Sequence, residues 1–166
     1  HLDITVERLK REHRLAVIVT TPTVSYRIIG KNGSMIEIFT PADWPDPSLV
    51  ETIEEPWVRL EILLPTRFMG NIMKLLDNYR GIYQKNDYLG TDHLILNFDI
   101  PLSDILIDFH DRLKSSSEGY ASMSYQLIGF KPSDLVKLQI LIADEPVEAF
   151  SKIVPKALAY KEGAAI

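Results

Sequence analysis

The densest cluster of residues able to do chemistry is Asp108-Phe109-His110-Asp111 followed by Ser115-Ser116-Ser117, the side-chain types of an acid, a base and a nucleophile. Neighbours along a helix point in different directions, whereas a proton relay needs its groups in line, so the spacing fits surface and capping roles better than catalysis. The four histidines, at positions 1, 13, 93 and 110, include no pair four apart on one helix, which argues against a zinc site. Neither Gly-x-x-x-x-Gly-Lys-Ser/Thr nor Gly-x-Gly-x-x-Gly occurs, so this chain has no P-loop with which to hold a nucleotide. Arg67 and Asn71 after the strand ending at Leu64 leave open a phosphate-handling reading. That reading lacks the glycine-rich cradle an anion site requires. Cations fall in two groups: Arg8, Lys10, Arg11 and Arg14 near the N-terminus, and Arg112, Lys114 and Lys131 around the Ser115–Gly119 turn, with Tyr120 as an aromatic neighbour. Both groups suit contact with nucleic-acid phosphates, although exposed Lys and Arg commonly serve solubility alone.

The elements that must position these residues are legible from periodicity. Ile105, Leu106, Phe109 and Leu113 recur at helical steps, with Ser103 as cap, Leu102 as staple and Asp104 near the positive end of the dipole. Lys114 and Gly119 mark the stop of this helix, and Tyr120 to Phe130 alternates as a half-buried strand. Trp57 to Leu64 reads as a strand, and Thr66 as the cap of a helix whose Phe68, Met69, Ile72, Met73, Leu76 and Tyr79 form a stripe ended by Gly81. Ile82 to Leu89 and His93 to Ile100 read as strands joined by Gly90-Thr91-Asp92. The order βαββαβ predicts a ferredoxin-like α+β two-layer sandwich, two helices on one face of a four-stranded antiparallel sheet.

Upstream, Leu2, Val6, Leu9 and His13 predict an amphipathic helix and Leu15 to Val19 a short strand. Val24 to Ile29 pairs with Met35 to Phe39 as a hairpin across Lys31-Asn32-Gly33-Ser34. Thr40 to Glu55, punctuated by Pro41, Pro45 and Pro47 and rich in acids, reads as a connector with a boundary near Pro56. Downstream, Leu135 to Ala143 is a strand candidate, Asp144-Glu145-Pro146 a turn and Val147 to Ile153 a short apolar element. A helix beginning at the first residue and a helix-like tail predict a piece of a longer protein.

Composition sets the limits. At 166 residues and 46% hydrophobic the chain can bury a core, and it holds no apolar run of membrane-spanning length. The absence of cysteine fits a reducing compartment, with cytoplasm the default. A net charge of −5 argues against a generally basic nucleic-acid binder, but residues 1–30 carry five Lys/Arg against three acids and residues 31–65 two against seven. The N-terminal piece is locally cationic.

Several phrases are more specific than pattern. DFHDRLKSSSEGYASMSYQLIGFKPSDLVKL, ILIADEPVEAFSKIV, LDITVERLKREHRLAVIVTTPTVSYRI and EEPWVRLEILLP resemble, in order, the LepA (elongation factor 4) family of ribosome-dependent translational GTPases. The resemblance implies that residues 1–30 are the C-terminal half of a ferredoxin-like domain III. It further implies that residues 31–55 are a hairpin and acidic Pro-rich connector, 56–131 an elongation-factor-G-like domain V, and 132–166 the start of a C-terminal domain. It implies docking on ribosomal RNA and proteins near tRNA, on stalled or mistranslocated ribosomes. GTP and Mg would be used by a domain outside this chain, with no cofactor bound here. A monomer is expected, in the cytoplasm, with peripheral membrane association of the parent. Where the family has His-Arg in the tail this chain has Pro155-Lys156, so no RNA contact carries over to that spot. The alternatives left open by the fold are a phosphate-handling domain using Arg67 and Asn71 and a ligand-sensing module.

Overall fold

The computed structural model describes residues 24–139, 141–146 and 151–163. The N-terminal helix and short strand expected over residues 2–19, with Arg8, Lys10, Arg11 and Arg14, lie outside the described residues.

The chain from Val50 to Pro132 follows the predicted βαββαβ order. Strand β3 (Val50–Pro65) leads through a short 3-10 turn into helix α1 (Met69–Leu76), then β4 (Ile82–Leu89) and β5 (His93–Pro101). Two short helices, α2 (Leu102–Leu106) and α3 (Phe109–Ser116), lead into β6 (Ser122–Pro132). β5 lies beside β3 and β4 beyond it, while β6 takes the other edge of β3, every pair antiparallel. Both crossovers therefore skip over a strand inserted between their ends, which is the split βαβ arrangement.

Alternation places the core. Val58, Leu60, Ile62 and Leu64 of β3 and Leu94, Leu96, Phe98 and Ile100 of β5 are all buried, and in register they face the helices together. Phe68, Ile72 and Leu76 from the α1 stripe and Ile105, Phe109 and Leu113 from α2 and α3 close over them, with Met69, Met73 and Tyr79 at the margin. At about 1.5–3 kcal/mol for each fully buried large apolar side chain, this layer dominates the folding of the unit.

A second core lies beside it. β1 (Tyr26–Gly30) and β2 (Met35–Ile38) form the expected hairpin, closed by Gly33 at φ +79° and by Ser34 N–H donating to Asn32 Oδ1 at 3.0 Å. β1 then pairs with the first residues of β3, Ile28 opposite Ile53. Tyr26, Ile28 and Ile38 pack with Leu135, joined by Trp44, Val50, Ile53 and Ile153 at the edge of this core. Leu135 belongs to β7 (Leu135–Leu138), which pairs with β10 (Lys152–Pro155); between them β8 (Leu141–Ile142) and β9 (Glu145–Pro146) make a two-residue ladder, and α4 (Lys156–Gly163) follows.

Several local expectations need correction. The connector is not irregular to Glu55: after 3-10 turns at Pro41–Asp43 and Pro47–Leu49 the chain is already strand at Val50, because β1 offers it a pairing edge. β3 runs unbroken through Pro56. Thr66 caps nothing; Pro65 stands at the start of the turn, and Thr66 Oγ1 is buried without a partner. Nor does Ser103 cap. The helix begins one residue earlier, directly after Pro101, and Ser103 Oγ turns to the Arg80 guanidinium at 3.3 Å. The single helix expected after Ser103 is two, separated at Ile107 and Asp108. The last turn sits at Ala143 and Asp144, whose φ of 52° and 64° are both positive, one residue before the position expected.

Candidate nucleic-acid interface

The α3–β6 turn is built by its own side chains. Ser117 is fully buried; its hydroxyl donates to the Leu113 carbonyl at 2.8 Å and accepts from the Ala121 N–H at 2.9 Å, tying the end of α3 to the start of β6. Glu118 and Gly119 take φ of 53° and 84°, and the Gly119 N–H closes back on the Lys114 carbonyl at 2.8 Å, the long-range bond of a Schellman stop. Lys114 Nζ reaches the Gly119 carbonyl at 3.3 Å, which holds the ammonium over the turn.

Tyr120, next in the chain, is 61% exposed yet fixed in orientation. Its ring stacks on buried Phe68 with centroids 6.0 Å apart and planes 20° from parallel. The Arg67 guanidinium lies 4.7 Å from the Phe68 centroid and 5.0 Å from that of Tyr120, within cation–π range of both. Among the described residues neither Arg67 nor Lys114 has a carboxylate partner. Neither charge is neutralised by an ion pair, which leaves both able to meet an anionic partner. The neighbouring β4–β5 turn is tied in as well, since the Thr66 N–H donates to the Asp92 carbonyl at 2.8 Å.

Of the residues singled out in sequence, Lys114 and Tyr120 lie at this end of the sheet, one on either side of Gly119, and Arg67 joins them there. Arg112 sits earlier on α3 in an exposed i,i+4 pair with Asp108 at 2.8 Å. Lys131 is elsewhere: it lies nine positions beyond Ser122 along β6, about 30 Å away. There its ammonium rests 4.4 Å from the Trp57 ring centroid. Asn71 does not join Arg67 in an anion site, for its amide donates to the Ser116 carbonyl at 3.4 Å. His110 makes only a 4.0 Å approach to Asp111, both side chains being exposed, and Ser117 is occupied in the turn, so the acid–base–nucleophile cluster does not assemble.

Sequence reasoning passed over two features. Arg80, after α1, donates to Asp104 Oδ1 at 2.7 Å, to Glu55 Oε2 at 3.2 Å and to Ser133 Oγ at 3.3 Å; Glu55 is 1% exposed. Burial disfavours the charge on Arg80, but the hydrogen bonds it donates to Asp104 and Glu55 outweigh it and hold its pKa above the ordinary guanidinium value. The other is the β4–β5 turn, Thr91-Asp92-His93, which had only a connecting role; no periodic signal marks either one.

A family model described as "Elongation factor G C-terminus" matches residues 52–141. Elongation factor 4 of Chlorobium limicola is 46% identical over 163 residues, which is 98% of this chain and 27% of that protein. Elongation factor 4 of Solibacter usitatus is 44% identical over 166 residues, all of this chain and 28% of that protein. The chain thus spans just over a quarter of the length of these relatives. Among the described residues no helix is long and apolar enough to cross a membrane.

Proposed function

The chain belongs to the elongation factor G C-terminus family and is a homologue of proteins named elongation factor 4, and on that premise we propose that it is the ribosome-docking part of a translational GTPase of the elongation factor 4 type. The observation that carries this reading is similarity to elongation factor 4 along 98% of the chain or more. The proposed parent uses GTP and Mg through a domain outside this chain and works on ribosomes beside tRNA in the cytoplasm, as a monomer.

The division of labour within the chain is also proposed. Residues 1–30 close a domain III, 31–55 connect, 56–131 form domain V and 132–166 begin a further domain. In this scheme the piece performs no bond chemistry. It is a stiff lever whose contact surface comprises Lys114, Tyr120 and Arg112 at the α3–β6 turn, Lys131 at the far end of β6, and Arg8, Lys10, Arg11 and Arg14 upstream. Arg67 adds to the same end of the sheet as Lys114. The phosphate-handling alternative is disfavoured because Asn71 is engaged with the end of α3.

Co-sedimentation of the chain with 70S ribosomes across a salt series tests the reading. Binding is expected to fall steeply with salt, and Lys114→Ala should reduce the slope of log K against log salt by about 1 as one phosphate contact is lost. Absence of ribosome binding at low salt would overturn it.

A further inference from the structure

Three turns that are distant in sequence meet around one cleft of about 360 Å³. Pro65, Thr66 and Arg67 come from the β3–α1 turn, Thr91, Asp92 and His93 from the β4–β5 turn, and Tyr120 from the α3–β6 turn. We propose that this cleft receives a single unpaired RNA nucleotide, its base stacked on Tyr120 and its edge read by Asp92. The inference rests on the ribosome-docking reading and deepens it, giving one site and one class of ligand.

Four observations point this way. Tyr120 keeps 61% of its surface open while Phe68 and Arg67 brace it, a preorganised platform rather than a loose surface ring. Polar groups ring the platform: the Thr91 hydroxyl donates to Asp92 Oδ1 at 3.0 Å, His93 is exposed beside them, and Thr66 Oγ1 is buried without a hydrogen-bond partner.

Charge then selects the ligand. A bare phosphate would gain Arg67 but face the Asp92 carboxylate in the same cleft. A nucleotide avoids that conflict: its phosphate lies toward Arg67 and Lys114, and its base turns N–H donors to Asp92. Guanine, with adjacent N1–H and N2–H donors, matches a carboxylate in bidentate fashion, whereas uracil flanks its one N–H with two carbonyl acceptors. Size is the fourth observation, since the volume is at the low end of the roughly 300–1,000 Å³ of ligand pockets and holds one nucleotide, not a duplex. In a duplex the guanine N1–H and N2–H are already donated to the pairing partner and both faces of the base are stacked, so the base must be unpaired.

The test uses the whole 166-residue chain and fluorescence anisotropy with two labelled RNAs, a uridine heptamer and the same heptamer with one central guanosine. The guanosine RNA should bind more tightly. Tyr120→Ala should weaken that binding by about tenfold, while Tyr120→Phe, which keeps the ring, stays within about twofold. Asp92→Asn should abolish the guanosine preference, and Lys114→Ala should weaken both RNAs alike with the preference intact. Equal binding of the two RNAs by the unaltered chain, or a preference that survives Asp92→Asn, overturns the proposal. If Tyr120→Ala fails to fold, Asp92→Asn still decides. Ribosome sedimentation of the same variants separates the two readings: docking that persists without a guanosine preference removes the cleft but leaves the docking function standing.

Discussion

At the scale of single residues, burial changes what a side chain costs to ionise. Tyr26 is 6% exposed in the second core, and burial first, then the charge of Glu55, push its phenol from 10.0 up to about 12. The raised pKa means that the unfolded chain releases this proton first as pH rises. The stability it contributes is therefore whole below pH 10 and is lost between pH 10 and about 12, roughly 2–3 kcal/mol across the window. Urea unfolding at pH 9 and pH 11.5 should show this loss, and Tyr26→Phe should reduce it; an unchanged loss in the variant would assign the alkaline effect to other groups. Residue types carried part of the candidate interface in advance, Lys114 and Tyr120 among them. Arg67 does not pair with Asn71, whose amide is engaged at Ser116; Phe68 and Tyr120 together set it as a cation held against two rings.

At the scale of elements, the α3–β6 turn shows how a short segment fixes the geometry of an interface. Gly119 was legible as a stop because its φ of 84° disfavours side chains. Ser117 was not, since a serine in a run of three gives no sign of which hydroxyl will be buried. Ser117→Ala removes the acceptor of the buried Ala121 N–H and should cost about 1–3 kcal/mol in urea denaturation. A cost under about 0.5 kcal/mol would mean that water replaces the hydroxyl there. β3 makes the converse point: its residues from Val50 to Glu54 are strand because β1 lies alongside, although Ile28 and its partner Ile53 are far apart in sequence.

At the scale of the whole molecule, Arg80 adds a polar tie between the two cores that β3 already spans. It links Glu55 on β3, Asp104 on α2 and Ser133 at the entry to the β7 segment. Arg80→Ala would leave Glu55, 1% exposed, without its counter-charge, and should cost about 3–5 kcal/mol by chemical denaturation. Adding Glu55→Gln should recover a substantial part, because the uncompensated charge is then gone. If the double variant is no more stable than the single one, lost packing outweighs lost charge.

The sequence by itself determined the order βαββαβ, the hairpin at Asn32-Gly33, the buried stripes of α1 and α3 and the stop at Gly119. These follow from period, β-branching and backbone freedom, which act over a few residues and need no distant partner. Only the tertiary structure decided which residues meet. Ser103 turns from capping to the Arg80 cluster because buried carboxylates and a guanidinium must be satisfied there. Lys131 is carried along β6 away from Lys114, since an extended strand advances about 3.3 Å per residue. Arg67, Asp92 and Tyr120 come to one cleft because antiparallel pairing brings the start of β5 and the start of β6 to the end of β3. Local chemistry names the elements; long-range pairing chooses the neighbours, and the candidate site is made of neighbours.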